Sequence, residues 1–160
     1  MNFKDQLNLN LLPPEEKYFK AVPGLMKRIR DLYEGIIERF GDEGLQLIRD
    51  VSTNYGRLLG IHVRKHLDEV GIKGVGTYII KVFDMVGGDW TISELSDKKM
   101  VIEVSKCPYP FKDDAVCRAH TLMEKALVET LDPELTYDIG RSIPKGDSVC
   151  EHIIMRKLQD

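Results

Sequence analysis

Three cysteines and two histidines in the last third of the chain are of the types that do metal or thiol chemistry. Cys107 opens CPYPFKDDAVCRAH, Cys117 and His120 lie inside it, and Cys150 and His152 follow in SVCEHII. Thiolate sulfur and imidazole nitrogen suit zinc and related ions. Cys107, Cys117, His120 and Cys150 form a candidate set of three cysteines and one histidine, with His152 as the alternative fourth ligand. Zinc fits that donor set, and iron or an iron–sulfur cluster would draw on the same sulfurs. The intervals match no zinc finger, ribbon or knuckle, so two other uses stay open: small buried hydrophobes, or a catalytic thiol.

Local structure bears on that choice. Asp113 is a natural N-cap, which puts Cys117 just after the first helical turn, where the helix dipole is expected to lower a thiol's pKa. His120, three residues on, shares the helix face of Cys117. Cys150 and His152 are two apart in an expected strand and project from one face of it.

A second group is less specific. His62 and His66 are one helical turn apart, a spacing that can bind a metal, but Val63 stands where a zinc protease has its general-base glutamate. Tyr55, His62, His66 and Trp90 are candidate polar handles of an apolar ligand pocket, although core packing accounts equally for Tyr55 and Trp90. Gly74 and Gly76 in GIKGVGTYI lack the third glycine of a dinucleotide fingerprint. No phosphate-binding loop, nucleophile elbow or EF-hand occurs, and the carboxylates are dispersed, so no acid–base pair is read and catalysis is left open.

The elements that must hold these residues read as follows. Residues 1–13 form an arm, and residues 14–160 one α+β domain. Pro14, Glu15 and Glu16 start a short helix that Val22, Pro23 and Gly24 break near Ala21. A second helix runs from Leu25 to Gly41. The third, about Glu43 to Glu69, carries Ile48, Val51, Tyr55, Leu59, His62 and His66 on one expected core-facing stripe. Gly71 ends it, GIKGVG is a loop, and TYIIKVFDMV is a strand on its β-branched and aromatic content. TISEL is a short strand or turn and KKMVIEVSKC a strand. One helix spans Asp114 to Leu131, and a hairpin of LTYDIGRSI and SVCEHIIMRK closes on Pro144 to Asp147. N-terminal helices thus pack on an antiparallel sheet, with one crossing helix before the C-terminal hairpin.

Composition narrows the class. The 160 residues are 42% hydrophobic and 31% charged, ordinary values for one globular domain, and a net charge of −3 argues against a nucleic-acid partner. No run is long enough for a membrane span, and the start resembles no secretory signal, so a reducing cytoplasm is expected.

The stretch from Cys107 to Ile154 resembles the C-terminal half of a group that includes the 4-vinyl reductase (hydrocarbon-binding) domains and the L-2-amino-thiazoline-4-carboxylic acid hydrolase-like proteins. The residues that carry the likeness are Cys107, Pro108, Cys117, Gly146, Asp147 and Cys150. The expected order of elements is similar to that of 4-vinyl reductase domains and of TRAPP vesicle-tethering subunits. The resemblance implies a homodimeric small-molecule-binding or sensory domain, with a zinc site beside a buried pocket for an aromatic or hydrocarbon-like ligand. Its alternative is a metal-dependent hydrolase of a small thiazoline-like heterocycle. Phenol-sensing relatives use a Glu and a Cys shortly before the last Cys as zinc ligands. Ile139 to Ser142 contain neither, so Cys117 and a histidine would take those places.

Overall fold

A computed structural model describes residues 12–158; most of the expected arm at residues 1–13 lies outside them. The order is helix α1 (Pro14–Arg64), helix α2 (Gly71–Met85), strands β1 (Asp89–Leu95) and β2 (Lys99–Lys106), helices α3 (Asp114–His120) and α4 (Leu122–Leu131), and strands β3 (Leu135–Ile139) and β4 (Cys150–Arg156). The class is α+β: a long N-terminal helix, a four-stranded antiparallel sheet, and a helical segment before the C-terminal hairpin.

Three helical expectations need correction. The first concerns α1, which passes through Pro23 without ending; the proline lies at an exposed position, and losing one backbone donor there does not stop the helix. Its one internal departure from helical geometry is Gly41, at φ 54° and ψ −129°, a conformation open to glycine. The second concerns GIKGVGTYIIKVFDM, which is helix α2 and not a loop followed by a strand. Ile72, Val75, Ile79 and Phe83 recur at three- and four-residue steps and are all buried, so a helical apolar face outweighs the β-propensity of single residues. The third concerns the expected Asp114–Leu131 helix, which breaks at Thr121 into α3 and α4; the Thr121 hydroxyl donates to the Arg118 carbonyl at 3.2 Å.

The buried face of α1 also differs from the expected stripe. Gly44, Ile48, Ser52, Gly56, Gly60 and Val63 face inward, while Val51, Tyr55, His62 and His66 are exposed. The reason is close packing of α1 on α4. A side chain at Gly56 would collide with the Met123 carbonyl, and a Cβ at Gly60 would stand 2.7 Å from Thr130 Cβ. Glycines let the two backbones approach, and a search for large apolar residues passes over such a face.

The sheet order is β1-β2-β4-β3, and its register fixes the core. Met100 pairs with Ile154, Ile102 with His152 and Val104 with Cys150, while Tyr137 pairs with Ile154 and Ile139 with His152. Alternation puts these side chains on one face, beneath α2 and α4. Cys150 and His152 therefore point into the molecule.

Candidate functional site

The loop after β2, helix α3 and strand β4 converge on one interior cavity of about 50 Å³. Cys107, Cys117, Cys150, His120 and His152 all line it, together with Glu124 of α4. Phe83, Val104, Tyr109, Phe111 and Ile139 supply apolar walls.

Each polar residue is held by a local device. Asp113 caps α3, accepting the Ala115 N–H at 2.7 Å, and so fixes the turn that presents Cys117 and His120. Ser142 is fully buried and donates its hydroxyl to Asp114 at 2.7 Å, tying the β3–β4 connection to the start of α3. That connection turns through a short 3-10 helix, Ile143–Lys145, and Gly146 at φ 103°. The Ile143 N–H donates to Cys150 Sγ at 3.3 Å.

His120 is 6% exposed, and neither ring nitrogen has a hydrogen-bond partner. Aromatic rings surround it: Tyr109 at 4.4 Å, Phe111 at 5.3 Å and Tyr33 at 5.8 Å between centroids. Glu124 Oε2 is likewise buried without a partner. His152 differs, because its Nδ1 is bonded to the Tyr137 hydroxyl. Burial pushes both imidazoles down to about 4 and Glu124 up to about 7. The lining holds no lysine or arginine.

The thiols reverse the expected activation. Burial pushes Cys117 up to about 12 and Cys107 up to about 11, and raises Cys150 as well. Removal from water penalises the thiolate more than the short helix α3 favours it. In the metal-free protein this burial keeps the Cys117 thiol protonated, which disfavours it as a nucleophile.

The donors fit a metal in kind: three sulfurs and an unpartnered imidazole share one cavity. Their placement falls short of a formed centre. Among the described residues, no three His, Cys, Asp or Glu side chains stand close enough together to hold an ion. Coordination would require the thiols to ionise and draw closer together. The free cysteines are unbridged.

The second candidate group does not join this cavity. Tyr55 and His62 lie exposed on α1 and His66 in the turn just after it, with the two imidazole centroids 5.5 Å apart, and Trp90 is half-buried against the core on β1. None of the four lines the cavity. Conversely, Glu124 and Tyr137 belong to the site although neither was singled out from sequence. A signal for Glu124 existed: Val116, His120, Glu124, Leu127 and Leu131 form an inward stripe, and a carboxylate on such a stripe calls for a partner.

Among the described residues no helix is long and apolar enough to cross a membrane. The sequence matches no protein-family model and no curated protein.

Proposed function

We propose that the chain is a binding or sensory domain for a small apolar or aromatic molecule, taken up at the cysteine–histidine cavity. The observation that carries the reading is the convergence of Cys107, Cys117, His120, Cys150, His152 and Glu124 within otherwise apolar walls. A few converging polar groups in an apolar cavity are the usual make-up of a small-molecule site. As part of the proposal, Cys107, Cys117, Cys150 and His120 hold zinc, with His120 preferred because both of its buried ring nitrogens lack a partner and it shares a helix with Cys117. When bound, such an ion would cross-link the loop, α3 and β4.

Elemental analysis of protein purified without added metal tests the zinc assignment. One zinc per chain is expected, with a marked loss in Cys117→Ser. No metal, or unchanged content in the variant, removes it. Calorimetric titration with aromatic probes tests ligand binding separately.

A second reading is favoured by Glu124. A buried carboxyl pushed up to about 7 beside a cavity is suited to general-base work, as a hydrolase of a small heterocycle would need. Turnover lost in Glu124→Gln with binding retained would select it over the sensor.

Homodimerisation belongs to the same proposal. Leu47, Val51, Leu58 and Ile61 fall on one face of α1, each more than half exposed, opposite the face buried on α4.

A further inference from the structure

The interior cavity by itself accommodates only part of the ligand proposed above. A benzene ring occupies a cavity of roughly 150 Å³, and the space beside Cys117 and Glu124 is about 50 Å³. A polar tip fits there; an apolar body does not.

Adjoining space is available. A groove of about 460 Å³ runs between the N-terminal part of α1 and the end of α2, and Val86, Cys107 and Pro108 line both the groove and the cavity. The two spaces therefore adjoin at these three residues. The groove's other walls include Phe19, Met26 and Met85, and Phe19 and Met85 are 74% and 58% exposed. Large apolar side chains left in water beside an internal cavity mark a surface that a ligand can cover.

The chemistry of the inner end identifies the tip. Glu124 Oε2 is a fully buried acceptor with no partner, and among the described residues no lysine or arginine lines the cavity. A buried carboxylate is tolerated when a hydrogen-bonded cation meets it. Zinc held by three thiolates and an imidazole would itself carry net negative charge, so it would leave that demand in place. Phe83, Tyr109 and Phe111 line the cavity with aromatic rings, which attract an ammonium group placed over their faces. Around the groove Lys27 and Arg30 are paired with Asp31, and Asp84 and Lys106 line the same groove, so no net positive field opposes the amine beyond one lysine.

We infer that groove and cavity are two compartments of one site, which takes an amphiphilic amine: its ammonium group meets Glu124, and its apolar body lies along Phe19, Met26 and Met85. The inference rests on the binding reading above and adds the ligand's chemical class and the second compartment. Cys107 and Pro108 lie at the waist of the bound molecule.

Calorimetric titration with phenylbutylamine, phenylbutanol and phenylbutyrate, on protein of measured metal content, tests it. The amine is expected to bind roughly tenfold or more tightly than the alcohol, as a charge-assisted hydrogen bond provides, and the carboxylate weakest. Glu124→Gln should abolish the preference for the amine. Met85→Ala and Phe19→Ala, at exposed positions that do not threaten folding, should weaken phenylbutylamine but leave benzylamine little changed. Equal binding of amine and alcohol, an amine preference that survives Glu124→Gln, or indifference to both groove variants overturns the two-compartment amine site while leaving the broader binding reading intact. Binding by none of the three probes overturns both.

Discussion

The Tyr137 hydroxyl is hydrogen-bonded to His152 Nδ1 across the β3–β4 pair, linking a fully buried phenol to an imidazole of the cavity. Burial raises the phenol well above its ordinary pKa, so its proton stays in place. Among the described residues the phenol has no other hydrogen-bond partner, so we assign its O–H as the donor to Nδ1, which places the ring proton on Nε2. His152 thus offers the cavity a donor, while His120 keeps an unengaged lone pair.

Tyr137→Phe removes the donor and leaves Nδ1 buried without a partner. A loss of about 1–3 kcal/mol in unfolding free energy is expected. Nitrogen NMR of His152 should show its tautomer redistributed. An unchanged tautomer in the variant would mean that another group sets it.

The pH dependence of the metal-free protein follows from three buried groups of opposing sign. His120 and His152 are pushed down from 6.5 to about 4, so the unfolded chain takes up their protons first and stability falls as pH drops through that window. Glu124 is pushed up from 4.5 to about 7, so its contribution is present at low pH and is lost as pH rises through that window. Two protons outweigh one, and acidification destabilises. Glu124→Gln deletes only the opposing part. Relative to the parent it should gain up to about 3 kcal/mol between pH 4.5 and pH above 7. Urea unfolding across that range measures the difference, and a constant offset would contradict the assignment.

Two glycines in α1 should respond in opposite directions to alanine. Gly56→Ala forces a methyl against the Met123 backbone, costing about 1–3 kcal/mol and shifting α4, which carries Glu124. Gly35→Ala meets nothing within 4 Å and should stabilise by about 0.5–1 kcal/mol through helix propensity. Paired thermal melts decide it. Similar effects at both sites would remove the argument for close α1–α4 contact.

Alkylation reports on the thiols. With Cys107 and Cys117 pushed up to about 11 and about 12, metal-free native protein at mildly alkaline pH should react with iodoacetamide far more slowly than the same protein in urea. Mass spectrometry counts the adducts. Rapid native labelling of Cys117 would restore the activated thiol that the helix position alone predicts.

Self-association is expected through the open apolar face of α1. Leu47→Glu with Leu58→Glu should convert a dimer to a monomer in sedimentation equilibrium without lowering monomer stability, since both side chains are exposed. A parent protein that is monomeric at high concentration would refute this interface.

Strands β2, β3 and β4, the Asp113 cap and the Gly41 break were legible because each depends on neighbours in sequence: alternating side chains, a capping carboxylate, a residue free to take positive φ. Helix α2 was misread because its β-branched residues were weighed one by one and not by their helical spacing. The inward face of α1 was missed because the contact that selects it is made by Gly56 and Gly60 against α4, partners distant in the chain.

The same division holds at the site. The sequence by itself determined that Cys107, Cys117, His120, Cys150 and His152 come from a loop, a helix and a strand, and that Cys150 and His152 share a strand face. Tertiary structure alone decided that all five border one cavity, that Glu124 joins them and that Tyr55, His62, His66 and Trp90 do not. It also decided the thiols' protonation, because desolvation depends on what surrounds a group on every side, and spacing along the chain specifies only its nearest neighbours.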